Sequence, residues 1–300
     1  MSTATVPSRD RGLLERISSF FFRHPRLRLG ALLGPPLAWF LIIYLGALVV
    51  LFANALWRLD PFSGEIVHRL SFANFRDLWD NDVYRTITLR TVGIAAAVSV
   101  TDIVLAFPLA YYAARIATPR VRSAILMAVV IPLWANYLVR VFAWKLILTP
   151  EGFLNWVLDK VGIGGLHIAN SNWAIWLTFV YLWLPFTLLP IYAALERVPS
   201  SFLEASSDLG ARGWRTFRRI VFPLILPGVV AGSIFSFSLT LGDYITPPLV
   251  GKTQFIGNVI YAQVGIAGNV PFAAAFALVP VAIMAVYLVV AKRLGAFEAL

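Results

Sequence analysis

Long apolar runs alternate with short polar segments along the whole chain. Six runs stand out: residues 37–56 (LAWFLIIYLGALVVLFANAL), 91–114 (TVGIAAAVSVTDIVLAFPLAYYAA), 123–139 (SAILMAVVIPLWANYLV), 172–195 (NWAIWLTFVYLWLPFTLLPIYAAL), 224–242 (LILPGVVAGSIFSFSLTLG) and 270–291 (VPFAAAFALVPVAIMAVYLVVA). A helix needs roughly 17–25 mostly apolar residues to cross the hydrocarbon of a bilayer. Each run meets that length, so the pattern predicts an all-α membrane protein with six transmembrane helices. A seventh stretch, 254–269, is broken by Gly, Asn and Gln and reads as a loop or a short interfacial helix.

Composition agrees with the pattern. The chain is 59% hydrophobic and 13% charged, with a mean hydropathy of +0.78. Soluble domains lie near 45–50% apolar and about 25% charged. There is no cysteine, which excludes disulfides, thiolate metal sites and thiol chemistry. The three histidines, His24, His68 and His167, fall in separate loops, so no metal centre is expected.

The net charge of +10 would suit nucleic acid or a membrane surface, and its placement decides between them. Sixteen of the 25 Lys and Arg fall in the N-terminal tail, the loops after the second and fourth runs, and the C-terminal tail. The remaining nine fall in the alternate loops. By the positive-inside rule the first set is cytoplasmic, and with it both termini. Topology thus accounts for the basic charge and leaves none to assign to nucleic acid. The expected home is the cytoplasmic membrane. Residues 1–29 form a basic cytoplasmic segment, with 11–22 as an amphipathic helix on the inner membrane surface. ISSFFF is too short for the apolar core of a cleaved signal, and basic residues follow it.

One cytoplasmic loop is unusual. Residues 204–223 read EASSDLGARGWRTFRRIVFP. Ser201 and Glu204 match an S-x-x-E capping box, which would start a helix there. Gly210 or Gly213 would end it in a left-handed conformation. WRTFRRIVF would form a second helix, leading to Pro223 in the first turn of the fifth span, where a missing N–H costs nothing. The loop is therefore expected to be structured.

This block resembles the EAA loop of ABC-transporter permeases of the binding-protein-dependent importer class. That pattern is E-A-A, three residues, G, nine residues, I-x-L-P. Here Glu204 and Ala205 begin it, Gly210 and Ile220 keep the spacing, and Pro223 closes it. Ser206 replaces the second alanine and Phe222 the leucine. FANFRDLWDNDVYRTI, FPLAYYAAR, IPLWANYLVRVFAWKLIL and GDYITPPLVG are similar to the spermidine/putrescine subfamily, in the same order. Subfamilies for iron(III), opines and aminoalkyl phosphonates share much of this pattern.

The resemblance implies a permease domain over 30–295, with 197–222 as its coupling loop between helices 4 and 5. Glu204, Ala205, Ser206, Gly210 and Pro223 would meet a cytoplasmic ATPase. The expected partners are two ATPase subunits, a second permease, an extracytoplasmic binding protein and the lipid bilayer. Import, and polyamines as cargo, also rest on the resemblance. This chain would be a transport subunit and not an enzyme. ATP and magnesium would bind the partner ATPase, with no cofactor here. Gly251-Lys252-Thr253 resembles the end of a phosphate loop, but the first glycine of that motif is replaced by Thr246.

Acids within spans are functional candidates, because burying charge in a membrane is costly. Asp102, halfway along the second span, would either pair with a passing ammonium group or hold a polar partner. Asp243 ends the fifth span, where Gly242, Pro247 and Pro248 break the helix. Beside Tyr244 it would bind a cationic amine by charge and by cation–π contact, or cap a helix end. Trp134 and Tyr137 would line the same pathway or face lipid. Gly228, Gly232 and Ser236 form a small-residue stripe suited to close helix packing, with a subunit interface as one destination. The outer loop 58–88 has a mixed-charge surface suited to transient docking. A secondary transporter using Asp102 and Asp243 as cation sites is the competing reading. A coupling-type loop and the absence of an internal repeat argue against it.

Overall fold

The computed structural model describes Phe22 and residues 25–162, 164–166 and 168–293. The expected surface helix over 11–22 lies outside them except for Phe22. Two units are present, divided after Ala53. The first contains α1 (Pro25–Ala55), whose last two residues belong to the second. After Arg26 and Arg28 in its first turn its side chains are apolar on every face and almost all exposed. A helix of that kind is stable only in apolar surroundings, as in a membrane.

The second unit begins with a small hairpin, β1 (Arg58–Leu59) antiparallel to β2 (Ile66–Val67). Asp60 shapes its turn by accepting the N–H groups of Phe62 and Ser63. Those bonds hold its carboxyl below the ordinary carboxylate range. Next come α2 (Ala73–Asp80) and α3 (Asp82–Arg115). The buried Asn74 amide of α2 donates to the carbonyls of Ala55 and Trp57, fixing the hairpin to the helices. α3 starts nine residues before the expected span, because Asn81 caps it through the Val83 N–H at 2.9 Å.

The third apolar run is not one straight helix. It is α4 (Pro119–Val130), a 3-10 turn at Ile131–Trp134, and α5 (Tyr137–Ile147), with a bend of 100°. Pro132 lacks an N–H for the helix ladder. Ala135 and Asn136 then turn extended, and the Asn136 side chain caps α5 through Leu138 N–H. Periodicity alone saw only the continuous apolarity. Among the described residues, five helices are long and apolar enough to cross a membrane, or six if the bent pair counts as one.

α6 (Phe153–Lys160) is short and amphipathic, and α7 (Asn172–Arg197) is a full span. After α7 come α8 (Ser200–Asp208), α9 (Gly213–Thr216), a π turn at Phe217–Val221, and α10 (Phe222–Gly242). A second π turn at Pro247–Gly251 leads to α11 (Ile256–Gly265) and α12 (Val270–Arg293). α11 is the short helix allowed for in the broken 254–269 stretch.

Pro223 lies in the first turn of α10, but α10 does not start afresh there. Gly213–Gly242 is one continuous helix. Inside a regular helix the proline ring would crowd the carbonyl four residues back. In the π turn Phe222 N–H bonds Phe217 O, five residues back, and the wider turn relieves that crowding.

α3, α7 and α10 form the core bundle. One apolar cluster joins Phe179, Leu182 and Trp183 to Val98 and Phe255. A second joins Leu188, Ile191 and Leu195 to Ala106, Ala110 and Ile225. A third joins Phe237 and Leu241 to Ile256, Phe272 and Phe276. The Gly228–Gly232 stripe packs within this chain, against α7, and so is not free to form a subunit interface. A Cβ on Gly228 would lie 2.6 Å from Pro190 O, and one on Gly232 would lie 2.8 Å from Thr187 O. Only glycine permits this crossing. Gly232→Val is expected to cost roughly 1–3 kcal/mol by overpacking and to lower the unfolding midpoint of the purified chain. Gly93→Val, with no atom within 4 Å of the new Cβ, is the control. Equal losses in both would contradict the close crossing.

Candidate functional site

Two sites stand at opposite ends of the Gly213–Gly242 helix. The first is the loop joint. α8 begins at Ser200, with Pro199 as its cap residue in an extended conformation and no side-chain cap bond. The expected Ser201–Glu204 capping box therefore does not form. The fixed φ of Pro199 starts the helix one residue early, which places Ser201 inside it. Glu204 and Ala205 are exposed on the α8 surface. Gly210 has φ +70°, the left-handed turn that glycine adopts freely. It allows Gly210 N–H to reach Ser207 O at 2.9 Å and Ala211 N–H to reach Ser206 O at 3.0 Å. Gly213 instead begins α9.

Ser206, the departure from the EAA pattern, is buried. Its hydroxyl pairs with the Thr216 hydroxyl at 2.7 Å. α8 is thereby tied to α9, and α9 runs unbroken into α10. An alanine would leave that tie unmade. Behind the loop, the Arg115 guanidinium donates to Leu195 O and Val198 O, both at 2.5 Å. These carbonyls close the C-terminus of α7, where Leu195 O also accepts the N–H of the cap residue Val198. Arg122 pairs with Glu196 at 3.0 Å. The arginines after the second span thus brace the joint, a role that counting them for topology did not reveal.

The second site surrounds Asp243, just beyond α10. One carboxylate oxygen accepts the N–H groups of Ile245 and Thr246, each at 2.8 Å. The other accepts the Tyr137 hydroxyl and, at 3.3 Å, that of Thr246. The Tyr137 and Thr246 hydroxyls lie 2.7 Å apart. Tyr137 opens α5 and stacks on Trp183 of α7, with ring centres 5.9 Å apart and planes 11° apart. The Arg140 guanidinium sits 5.9 Å from the Tyr137 ring centre. Asp243 therefore staples the bent third span to the break after α10. Gly257 is required beside it, since a Cβ there would meet Asp243 O at 2.7 Å. Nothing in the sequence pointed to Thr246 or Gly257.

The other candidates are placed separately. Tyr244 is 46% exposed and stacks on Tyr261, and it is not among the hydrogen-bond partners of the Asp243 carboxylate. Trp134 is 90% exposed in the 3-10 turn. Asp102 is 0% exposed. It accepts the Ser236 hydroxyl of α10 at 2.5 Å, and its second oxygen has no partner among the described residues. It lies inside the α3–α10 contact. Lys252 follows the second π turn in a left-handed conformation with no strand before it, unlike a phosphate loop.

Ser206→Ala should leave the Thr216 hydroxyl unmatched at a cost of about 1 kcal/mol. Amide exchange over 209–216 should then quicken by roughly fivefold. Ser206→Ala with Thr216→Val should recover part of that protection. Unchanged exchange in the single variant would show that the pair does not hold the joint.

Comparison with known proteins identifies the family. Residues 103–297 match the family described as "Binding-protein-dependent transport system inner membrane component". The chain is 44% identical, over the full length of both, to the inner membrane ABC transporter permease protein YdcU of Escherichia coli (strain K12). It is 31% identical to the spermidine/putrescine transport system permease protein PotB of the same organism, over 84% of this chain and 92% of that one. The fold matches a chain from a bacterial alginate ABC transporter in complex with an alginate pentasaccharide-bound periplasmic protein. The TM-score is 0.72 at 16% identity, covering 95% of this chain and 99% of that one. The chain belongs to the inner membrane components of binding-protein-dependent transport systems, as a non-catalytic permease subunit of an ABC importer.

Proposed function

We propose that this permease carries polyamines of the spermidine/putrescine type into the cell, driven by ATP hydrolysed on partner subunits. The observation that carries the mechanism is the unbroken helix from the loop joint to Asp243. Its 30 residues span about 45 Å at 1.5 Å per residue. Both termini and the 197–222 loop face the cytoplasm in this reading, as the basic residues suggest. Glu204, Ala205 and the Gly210 turn meet the ATPase, which binds ATP and magnesium. Movement of α8 passes through Ser206–Thr216 to α9 and along α10. At the far end it shifts Asp243 relative to Tyr137 and opens or closes the pathway. A second permease completes the pore, and an extracytoplasmic binding protein delivers cargo.

Polyamine cargo is supported by the PotB likeness and by an acid set among aromatic rings. Asp243 and Tyr137, backed by Trp183, form a site where an ammonium group gains both charge pairing and a ring face. Tyr244 and Trp134 are exposed, free to meet cargo once a second permease closes the path. Asp102 serves as a clamp between α3 and α10. The second reading keeps the permease and changes the cargo to iron(III), an opine or an aminoalkyl phosphonate. The alginate transporter likeness favours keeping it open, since one fold serves different cargo.

ATP hydrolysis by the assembled complex, with its binding protein, tests both parts. Spermidine or putrescine should stimulate it, and iron(III) or aminoalkyl phosphonate should not. Glu204→Lys should leave the chain in the membrane but lower uptake by on the order of tenfold, as expected for the loss of one interfacial contact worth about 1.4 kcal/mol. Stimulation by another ligand would move the cargo, and normal uptake in Glu204→Lys would remove the coupling role. Asp243→Asn keeps the shape of the staple without its charge. It should cut polyamine uptake by a similar factor while membrane levels stay constant, and unchanged uptake would remove Asp243 from the pathway.

A further inference from the structure

A cleft of about 640 Å³ opens between α8 and the start of α10. Its walls are Phe202, Leu209, Ile220 and Leu224, and the guanidinium-bearing Arg215 and Arg219 border it. That volume lies within the range of small-ligand pockets, roughly 300–1,000 Å³. Leu209 is 87% exposed. With the exposed Phe202 and Leu224 it forms a contiguous apolar wall, the kind of surface that marks an interaction site.

The arginines tell what kind of occupant. Arg115 and Arg122, at the same end of the bundle, are engaged by carbonyls and by Glu196. Arg215 and Arg219 are exposed and make no ion pair among the described residues. Arg212 and Arg218 are also exposed and unpaired among the described residues, but Arg215 and Arg219 alone border the apolar walls, a setting that suits an anion joined to hydrocarbon. Pro223 and Leu224 continue from the cleft into the membrane-spanning part of the helix, so hydrocarbon can enter from the bilayer side. Trp214, 71% exposed, stands next to the arginines, as aromatic residues do at the headgroup level.

We infer that this cleft binds an anionic phospholipid, its phosphate between Arg215 and Arg219 and an acyl chain against Leu209, Ile220 and Leu224. The inference rests on the inner-face orientation of the loop given above, but not on polyamine cargo. Lipid there would sit against α8 beside Ala205, at the edge of the proposed ATPase contact and on the path by which the ATPase moves α10, so the charge of the inner leaflet would set how firmly the loop joint is held.

Native mass spectrometry of the full chain in detergent tests binding directly, whatever the orientation or cargo. Phosphatidylglycerol should be retained over phosphatidylcholine. A hydrogen bond to a charged group, as between guanidinium and phosphate, contributes roughly a tenfold factor. Arg215→Gln with Arg219→Gln should therefore weaken retention at least about tenfold, and the double lysine variant should keep most of it. Arg212→Gln with Arg218→Gln, outside the cleft, should have little effect. Equal retention of the two lipids, or equal loss from both glutamine pairs, would overturn the site. In the assembled complex, p-benzoylphenylalanine in place of Ile220 should crosslink to lipid. Crosslinking to the ATPase instead would assign the cleft to that partner and overturn the proposal.

Discussion

The close crossing of α7 and α10 is the constraint on which the rest depends. Gly228 and Gly232 let two backbones approach until a single added methyl would overlap carbonyl oxygens of Pro190 and Thr187. In a bilayer there is little hydrophobic gain from joining two apolar helices, so association relies on such packing and on hydrogen bonds. The Thr187 hydroxyl, 3.3 Å from Gly232 O, and the Ser236–Asp102 bond supply the polar part. With α10 held along its length, its two ends are placed in register. One end carries the loop joint and the other carries Asp243.

Asp102 and Asp243 then have different surroundings for a geometric reason. Asp102 sits where α3 and α10 touch, wholly enclosed, and its neighbour is a hydroxyl on the packed face of α10. Asp243 sits where α10 has ended and the backbone is irregular. Irregular backbone at membrane depth needs its own hydrogen-bond partners. Asp243 supplies them to Ile245 and Thr246, and its remaining capacity reaches Tyr137 on a separate element. A joint between two elements is a place where motion can be read out, whereas a bond inside a packed contact holds elements together.

Much of this was legible in the sequence. Five spans, the short helix over part of 254–269, the Gly210 turn and the helical WRTFRRIVF segment all follow from apolar run length and glycine chemistry. What was not legible depended on partners distant in sequence. The break at Pro132 lay inside an unbroken apolar run, and Asn136 as a cap can be recognised only once the bend is known. Ser206 looked like a mild departure from a motif, because Thr216 as its partner lies on the next helix. The capping box failed because Pro199 set the helix start before Ser201 could. The Gly228–Gly232 stripe announced close packing but not which helix it would meet. Arg115 was read as a topology signal, although its bonds go to carbonyls 80 and 83 residues away.

The most direct measurement is of distances between spin labels in the assembled complex through the ATP cycle. Labels at positions 214 and 244 report the length of the helix, and labels at 244 and 138 report the joint between Asp243 and α5. A rigid connection keeps the first distance constant between nucleotide-free and ATP-bound states while the second changes. A first distance that changes, or a second that stays fixed through turnover, would show that the helix does not carry motion from the loop to Asp243.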